Sequence, residues 1–301
     1  MLSQQIKKVF NLCLHEGHVF SSLFRLQNPR GFVLLFLPCA WGLLLASGGK
    51  VLWFEMGLFA LGAFLTRSVG CAYNDWVDRD IDDNVKRTQT RPLVKNDLPL
   101  LHIILVSALL LGLALFVLLQ LSALAIYIGF LVAFLVLLYP WLKRVTHWPQ
   151  LYLGFLFASG VWLSWFHLHD GFEDLTLSPF LLYTVGVLWT LYYDTLYGYQ
   201  DWEDDQKMGV KSTAVLWQKR PRPFFVSLVL AMTALLVTLG CYERLSAFYY
   251  AGVGVTAIWL LWQIKRFDVH NAQGALALFL ENQWVGLWIT LTLYAGFNLW
   301  L

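Results

Sequence analysis

The sequence joins an apolar run at residues 52–73, LWFEMGLFALGAFLTRSVGCAY, to an acidic run at residues 74–82, NDWVDRDID. The apolar run is long enough for an α-helix to cross the hydrocarbon core of a bilayer. If the helix continues into the acidic run, Asn74, Asp78 and Asp82 recur at i, i+4 and i+8 and share one face. Carboxylates that close together repel one another unless a cation or protons offset their charge. The pattern therefore predicts a cation site at the end of a membrane-spanning helix.

A second acidic cluster follows about 120 residues later, and its spacing favours the same interpretation. Asp194, Tyr197, Asp201 and Asp205 step at i, i+3, i+7 and i+11, which places them near one face of a continuous helix. A single acidic cluster is equally well explained as a solvated loop. Two clusters, each at the end of a predicted span, favour one cation site shared between them.

The composition indicates a membrane protein. Of the 301 residues, 58% are hydrophobic and 13% are charged, and soluble domains typically carry about 25% charged residues. We predict one all-α domain over residues 1–301, a polytopic membrane helical bundle with two Asp-rich cytoplasmic loops and an interfacial segment at residues 1–30. The nine predicted spans are roughly 32–48, 52–73, 100–119, 122–142, 150–166 (which could be broken around Gly154 and Gly160), 179–199, 223–240, 247–263 and 283–301.

The basic residues predict the orientation of these spans. With the N-terminus in the cytoplasm, 18 of the 21 lysines and arginines fall on the cytoplasmic side, as the positive-inside rule requires. Lys50 and Arg244 fall on the opposite side. Arg67 lies inside the second span, where a charge is costly and usually functional. Both acidic clusters then face the same compartment.

Both acidic loops also contain basic residues, and this mixture indicates a polyanion bridged by metal ions. Mg²⁺ prefers oxygen ligands and is commonly held by one or two carboxylates together with substrate phosphates, while Arg and Lys bind the remaining phosphate oxygens. No glycine-rich phosphate loop is present, so ATP and GTP are not expected. A lipid diphosphate suits a membrane protein without a soluble domain. A divalent-cation transporter is the rival class, but the third, fourth, fifth, seventh and eighth spans lack the acidic residues that a path would need.

Three segments resemble the motifs of one family. Residues 67–82, RSVGCAYNDWVDRDID, continued by VKRTQTRPL at 85–93, resemble the first motif of the UbiA-type membrane prenyltransferases. Residues 193–213, YDTLYGYQDWEDDQKMGVKST, resemble the second motif. Residues 139–150, YPWLKRVTHWPQ, are similar to the 4-hydroxybenzoate polyprenyltransferase branch of that family. The resemblance covers nearly the whole chain.

The resemblance implies transfer of a polyprenyl group from its diphosphate to the ring carbon ortho to the hydroxyl of 4-hydroxybenzoate, with release of diphosphate, as in ubiquinone biosynthesis. A naphthoate, homogentisate or haem acceptor stays open as an alternative. We expect a bacterial inner-membrane protein with the N-terminus and active site in the cytoplasm. Its expected partners are the isoprenoid donor, the aromatic acid and the bilayer, with no nucleic acid and no obligate protein partner.

The predicted site residues fall into three groups. The metal ligands are one set for each Mg²⁺: Asn74, Asp78 and Asp82, and then Asp201 and Asp205. The catalytic carboxylates are Asp75, Asp78, Asp194 and Asp201. The substrate-binding residues are Arg67, Arg79, Arg87, Lys207 and Lys211 for the diphosphate, Tyr193 and Tyr197 for the diphosphate or an allylic cation, and Arg144, with Lys143 second, for the acceptor carboxylate.

Overall fold

The fold was taken from a computed structural model, and the structure describes residues 17–27, 30–83, 88–95 and 97–299. Throughout these ranges the regular secondary structure is helical. The helices are α1 (17–23), α2 (Arg30–Ala46), α3 (Trp53–Asp82), α4 (Pro92–Lys95), α5 (Leu100–Leu118), α6 (Ala123–Val145), α7 (Pro149–Ala158), α8 (Gly160–Leu168), α9 (Leu177–Gly198), α10 (Trp202–Met208), α11 (Thr213–Trp217), α12 (Pro221–Tyr242), α13 (Ala247–Arg266) and α14 (Ala272–Asn298).

Each of the nine predicted spans corresponds to a long helix or, for α7 and α8, to a pair of helices in line. Seven of these are long and apolar enough to cross a bilayer, when α7 and α8 are counted together. The other two are α2, which is apolar but only 17 residues long, and α9, which carries polar residues among its apolar ones. The predicted class, an all-α membrane bundle, is confirmed.

One boundary differs from the prediction and one detail agrees. The fifth span is broken at Ser159, between α7 and α8, as expected around Gly160. The last span was predicted at 283–301, but α14 begins at Ala272. Residues 272–282 include Gln, Glu and Asn. These polar residues lie outside the apolar stretch from which the span was predicted, but they are compatible with an α-helix.

The centre of the bundle is formed by α2 and α9. Most side chains of α9 are buried, and α9 packs against α2, α7, α12 and α14. Trp41 and Trp189 are fully buried and their rings lie 5.0 Å apart. A Cβ atom at Gly160 would lie 2.9 Å from the backbone nitrogen of Cys39, so α8 can approach α2 this closely only with glycine there. The outer helices α5 and α6 expose rows of Leu and Phe, as a lipid-facing surface does.

The second span continues well past its apolar part. With 30 residues, α3 is about 45 Å long, whereas the hydrocarbon core of a bilayer is about 30 Å thick. The last turns of α3, which contain the first acidic motif, therefore extend beyond the apolar region. The prediction that this motif lies in a loop was wrong, because the helix continues to Asp82.

Candidate functional site

The first acidic motif forms a buried face at the end of α3. Asp75 and Asp78 are each 2% exposed and Asp82 is 6% exposed, whereas Trp76 on another side of the helix is 50% exposed. Their spacing of three and four residues places these carboxylates on one side of the helix, together with Asn74. The shared helical face is confirmed.

Two arginines from different segments bind this face. Nη2 of Arg25, in the turn after α1, lies 3.0 Å and 2.7 Å from the two carboxylate oxygens of Asp75. Nη1 of Arg91, just before α4, lies 2.9 Å from Asp75 and 2.5 Å from Asp82. Buried carboxylates need such partners, because an unpaired charge is very unfavourable away from water.

The third carboxylate has a lysine partner from α6. Nζ of Lys143 lies 2.5 Å from Oδ2 of Asp78. The other oxygen of Asp78, Oδ1, is buried and has no hydrogen-bond partner within the part of the chain that the structure describes. A buried carboxylate oxygen with unused lone pairs can accept a proton donor or coordinate a cation.

The second acidic motif is divided between two helices. Asp194 lies on α9, which ends at Gly198, and a turn then leads to α10, which begins at Trp202 with Asp201 as its N-terminal cap. Asp205 follows on α10. The predicted continuous face from Asp194 to Asp205 is therefore wrong, because hydrogen bonds of a tight turn replace those of the helix at residues 199–201.

The end of α6 joins the two motifs. The backbone N–H of Lys211, just after α10, donates to the carbonyl of Lys143 at 2.9 Å. Nζ of Lys211 also donates to the carbonyl of Val145 at 3.0 Å. Because Lys143 is bound to Asp78 as well, residues of both motifs are held at the same end of the bundle.

Arg67 lies deeper in the bundle, between the two motifs. Its positive charge interacts electrostatically with Asp194 and with the hydroxyl groups of Tyr139 and Tyr197. Tyr139, on α6, is also within electrostatic reach of Asp78. Arg67, a half-buried cation near Asp194, and Tyr139, which lies near both Arg67 and Asp78, thus connect α3, α6 and α9 at one site.

The model of the UbiA prenyltransferase family matches residues 35–294 of this chain. The chain belongs to that family. The match covers both acidic motifs and every helix from α3 to α13, so the site described above, apart from Arg25, lies within the family domain.

Two curated relatives show how far the similarity extends. The 4-hydroxybenzoate polyprenyltransferase, mitochondrial, of Rattus norvegicus is 38% identical over 297 residues, covering 98% of this chain and 79% of that protein. The 4-hydroxybenzoate octaprenyltransferase of Marinobacter nauticus is 37% identical over 275 residues, covering 91% of this chain and 92% of that protein.

Solved structures of UbiA homologues have the same fold. An apo UbiA homologue from Aeropyrum pernix K1 has a TM-score of 0.69 at 25% identity, covering 88% of this chain and 96% of that one. A UbiA homologue from Archaeoglobus fulgidus, solved with DMAPP and Mg²⁺ bound, has a TM-score of 0.65 at 16% identity, covering 93% and 99%.

Not all predicted site residues of this UbiA-family chain meet at the acidic faces. The side chains of Arg79 and Lys207 are 58% and 72% exposed and pair with the surface residues Asp80 and Asp204. Arg87 lies outside the described residues.

The two tyrosines and Arg144 also differ in position. Tyr193 is buried and its hydroxyl donates to Thr190 at 3.2 Å, so it belongs to the packed core. Tyr197 is half-buried, and its ring lies 4.8 Å from that of Phe279. Arg144 is exposed, lies over the ring of Trp141, and donates to the carbonyl of Val77 at 3.4 Å.

The predicted metal ligands were tested against the geometry of the site. No group of three His, Cys, Asp or Glu side chains converges closely enough to enclose a metal ion, as far as the described residues extend. In the first motif the carboxylates are instead bound by Arg25, Arg91 and Lys143. The chemistry of the donors nevertheless fits a hard divalent cation, because three carboxylates share one face and Oδ1 of Asp78 is buried without a partner.

Three residues at this site were not predicted from the sequence. Arg91 lies within the quoted first motif, so its position beside the carboxylates could have been anticipated. Arg25 lies 50 residues before Asp75, and Tyr139 lies in the middle of an apolar run. Tyr139 opens the quoted segment 139–150, which could have pointed to it, whereas Arg25 has no sequence signal of its own because tertiary packing alone brings it to α3.

Proposed function

We propose that this UbiA-family protein transfers a polyprenyl group from polyprenyl diphosphate to the ring carbon ortho to the hydroxyl of 4-hydroxybenzoate and releases diphosphate. The names of the rat and Marinobacter nauticus relatives support the reaction and both substrates. The prenyl donor must reach its site from the bilayer, and the chain consists of a bundle of apolar helices with a charged site at one end.

One observation carries the proposal for this chain: the two acidic motifs meet at the end of α6. Lys143 binds Asp78 through its side chain and Lys211 through its backbone carbonyl. A diphosphate that binds beside Asp78 would therefore also lie close to the segment that follows Asp205. A single carboxylate cluster could bind an isolated cation, whereas two clusters with interleaved cations suit a metal-bound diphosphate.

Magnesium would be held by Asn74, Asp78 and Asp82 on α3 and by Asp201 and Asp205 around α10. The homologue from Archaeoglobus fulgidus with bound DMAPP and Mg²⁺ supports this choice of cation. When bound, the metal neutralises charge on the departing diphosphate. The two sets of ligands come from different helices, so the diphosphate would be bound between α3 and α10.

The cationic side chains of the site stabilise the leaving group as its charge grows. Arg67 lies at the inner end of the site, where it would contact the diphosphate and balance the charge of Asp194. Lys211 lies near the outer end, and Arg79, Arg87 and Lys207 would reach the diphosphate only by moving from the surface or from the loop. Fixed charges aimed at a leaving group usually contribute more to catalysis than any other single effect.

Loss of diphosphate leaves an allylic cation, which the electron-rich phenol ring attacks through its ortho carbon; that carbon then loses its proton, which the released diphosphate or water can accept, and the ring becomes aromatic again. Tyr197 is the better placed of the two candidate tyrosines to stabilise this cation, because the hydroxyl of Tyr193 donates to Thr190 and its ring is buried in the core. The apolar walls of the bundle exclude water, which would otherwise trap the cation.

Arg144 is our proposed partner for the carboxylate of the acceptor, and Lys143 is the second candidate. Lys143 already binds Asp78, whereas Arg144 has no carboxylate within ion-pair distance among the described residues. Its guanidinium carbon lies 4.8 Å from the centre of the Trp141 ring, and a guanidinium group can bind a carboxylate through two N–H groups. Arg144 also bonds the carbonyl of Val77, the residue that precedes Asp78 in the sequence, so it lies beside the acidic face.

The charge distribution supports the orientation that we propose. With the N-terminus in the cytoplasm, 18 of 21 basic residues lie on the cytoplasmic side, and the site lies there too. We propose a bacterial inner membrane, which the similarity to a relative from the bacterium Marinobacter nauticus supports.

The test is a transfer assay on membranes that contain the full chain. 4-Hydroxybenzoate and a series of prenyl diphosphates would be supplied with Mg²⁺ or with a chelator, and products identified by mass spectrometry. We expect ring prenylation that requires both substrates and disappears with the chelator.

Parallel reactions with a naphthoate and with homogentisate test the acceptor. Product with one of these and none with 4-hydroxybenzoate would reject the proposed acceptor but keep the reaction type. No product with any acceptor would reject both the acceptor and the reaction type.

A further inference from the structure

Asp75 differs from its neighbours on α3 in the number of arginine N–H groups that surround its carboxylate. Both oxygens accept from Nη2 of Arg25, at 3.0 Å and 2.7 Å, and Oδ1 also lies 2.9 Å from Nη1 of Arg91. The side chain is 3% exposed. Two guanidinium groups therefore surround a carboxylate that water barely reaches.

These contacts with two arginines are hard to reconcile with metal binding by Asp75. A magnesium ion requires a lone pair at about 2.1 Å in near-octahedral geometry, and the two arginines would have to withdraw or lie beside a like charge. Asp78 meets this requirement better. It has a single lysine partner on Oδ2, and its Oδ1 is buried without a partner among the described residues.

The segment that contains Arg25 packs against the helices of the site. Val19, Leu23 and Phe24 pack in one cluster with Ala72 of α3 and Ile103 of α5. This packing places the turn after α1 directly beside Asp75.

The backbone of that turn is shaped to present the arginine. Arg25 has a φ of 55°, a left-handed conformation that non-glycine residues rarely adopt, and its Nη1 donates to the carbonyl of Ser22 at 2.9 Å. This conformation ends α1, because the N–H of Leu26 donates to the carbonyl of Ser21 at 2.9 Å, and Arg244 ends α12 in the same way.

We propose that Asp75 binds no metal and instead positions Arg25 and Arg91 at the entrance of the donor site, where their remaining N–H groups bind the diphosphate of the prenyl donor. This inference rests on the function proposed above. Each guanidinium has five N–H donors, and the ion pairs of Arg91 with both carboxylates use Nη1 alone. The side chains of Arg25 and Arg91 are 31% and 17% exposed, so part of each can be reached by a ligand.

The division of roles predicts different responses to loss of charge on neighbouring carboxylates. Asp75 would hold the arginines, Asp78 would hold the metal, and residues 17–27 would form one wall of the donor site. The N-terminal segment would then be required for donor affinity, although it lies outside residues 35–294 that match the family model.

The experiment compares Asp75→Asn, Asp78→Asn and the exposed control Asp97→Asn in the full chain, purified in detergent. The affinity for Mn²⁺ is measured by electron paramagnetic resonance with inorganic diphosphate present. We expect Asp78→Asn to weaken Mn²⁺ binding by at least about tenfold and Asp75→Asn to leave it within about twofold, because only the first removes a ligand. Trypsin cleavage after Arg25, followed by mass spectrometry, should accelerate in Asp75→Asn and not in Asp97→Asn.

A second pair of variants keeps the inference testable if Asp75→Asn does not fold. Arg25→Gln should raise the KM for prenyl diphosphate by about tenfold while the KM for 4-hydroxybenzoate stays within about twofold, and Arg25→Lys should recover most of the loss. A uniform loss of kcat in both variants, with unchanged KM values, would indicate a purely structural role and overturn the inference.

The outcomes also separate this inference from the proposed function. Equal weakening of Mn²⁺ binding by Asp75→Asn and Asp78→Asn would make Asp75 a ligand and overturn the inference, while the proposed function would stand. If the unmodified chain bound no Mn²⁺ in the presence of diphosphate, both would fail.

Discussion

Both acidic motifs are rich in aspartate, but they are held in different ways. The first lies on one uninterrupted helix, with its carboxylates buried and bound by Arg25, Arg91 and Lys143. The second is split by a turn, and its last part lies on the seven-residue helix α10, none of whose side chains is fully buried. The first motif is therefore held by buried ion pairs on one helix, whereas the second is divided by a turn and lies partly on an exposed helix.

This difference indicates which half of the site is rigid. Buried ion pairs between segments distant in sequence hold the end of α3 in one position, and breaking one leaves an uncompensated charge. A short exposed helix ending in a turn can shift without such a cost. We infer that a diphosphate would meet a preformed face on α3 and that α10 would adjust to it.

The largest expected effect separates the motifs by stability rather than by activity. Asp78→Ala and Asp201→Ala should each lower kcat by at least about 10², as removal of one electrostatic group from a reacting centre does. Asp78→Ala should also destabilise the protein, by roughly 2 kcal/mol, because it leaves Lys143 without its buried partner; the loss stays below that of a fully buried pair since Lys143 is 23% exposed. Asp201→Ala should destabilise it less, because Asp201 is half-buried whereas Asp78 is 2% exposed. Transfer assays and thermal unfolding in detergent measure the two effects.

The control for this comparison is Asp97→Ala, which removes an exposed carboxylate from the same side of the bundle. It should leave both the rate and the unfolding temperature unchanged. Full activity of Asp201→Ala would remove the second motif from the reaction, and equal destabilisation by both variants would contradict the difference in how the motifs are held.

The same two motifs show what sequence periodicity can and cannot predict. The i, i+4, i+8 spacing of Asn74, Asp78 and Asp82 correctly predicted one helical face, because α3 continues through it. The corresponding spacing after Asp194 failed, because periodicity does not reveal that the helix ends at Gly198. Spacing predicts which residues share a face only while the helix is unbroken.

The partners of the carboxylates could not be predicted in the same way. Arg25 and Lys143 lie 50 and 65 residues from the aspartates that they bind, so only tertiary packing brings them together. The charge asymmetry did predict that both motifs share one side of the membrane, because that property depends on the order of spans alone.

A smaller effect is expected at the acceptor side, where Arg144 follows the lysine bound to the first motif. Arg144→Ala should raise the KM for 4-hydroxybenzoate by about tenfold, the cost of losing a charged hydrogen-bond partner, and change the KM for the donor less. Steady-state kinetics with each substrate varied in turn measure both constants. Arg222→Ala, which removes an exposed arginine elsewhere on the same side, is the matched control. Equal increases in the two KM values would refute the assignment of Arg144 as the carboxylate partner.

The smallest expected effect tests the turn that holds the second motif in place. Gly209 ends α10 with a φ of 71°, and Val210 donates to the carbonyl of Asp205 at 2.9 Å, which directs the chain toward the contact between Lys211 and Lys143. A Cβ atom at Gly209 would meet no other atom within 4 Å, so Gly209→Ala changes only the backbone preference. We expect a loss of about 1 kcal/mol in the free energy of unfolding, the cost of a left-handed conformation for alanine. Because the cost falls on one short turn, transfer should fall by no more than about threefold.

Gly112→Ala is the control for this prediction. A Cβ atom there would also meet no other atom within 4 Å, but Gly112 lies inside α5 with ordinary helical backbone, so alanine should be neutral or slightly stabilising. A loss of transfer in Gly209→Ala as large as in Asp78→Ala would mean that the second motif is as rigid a part of the site as the first.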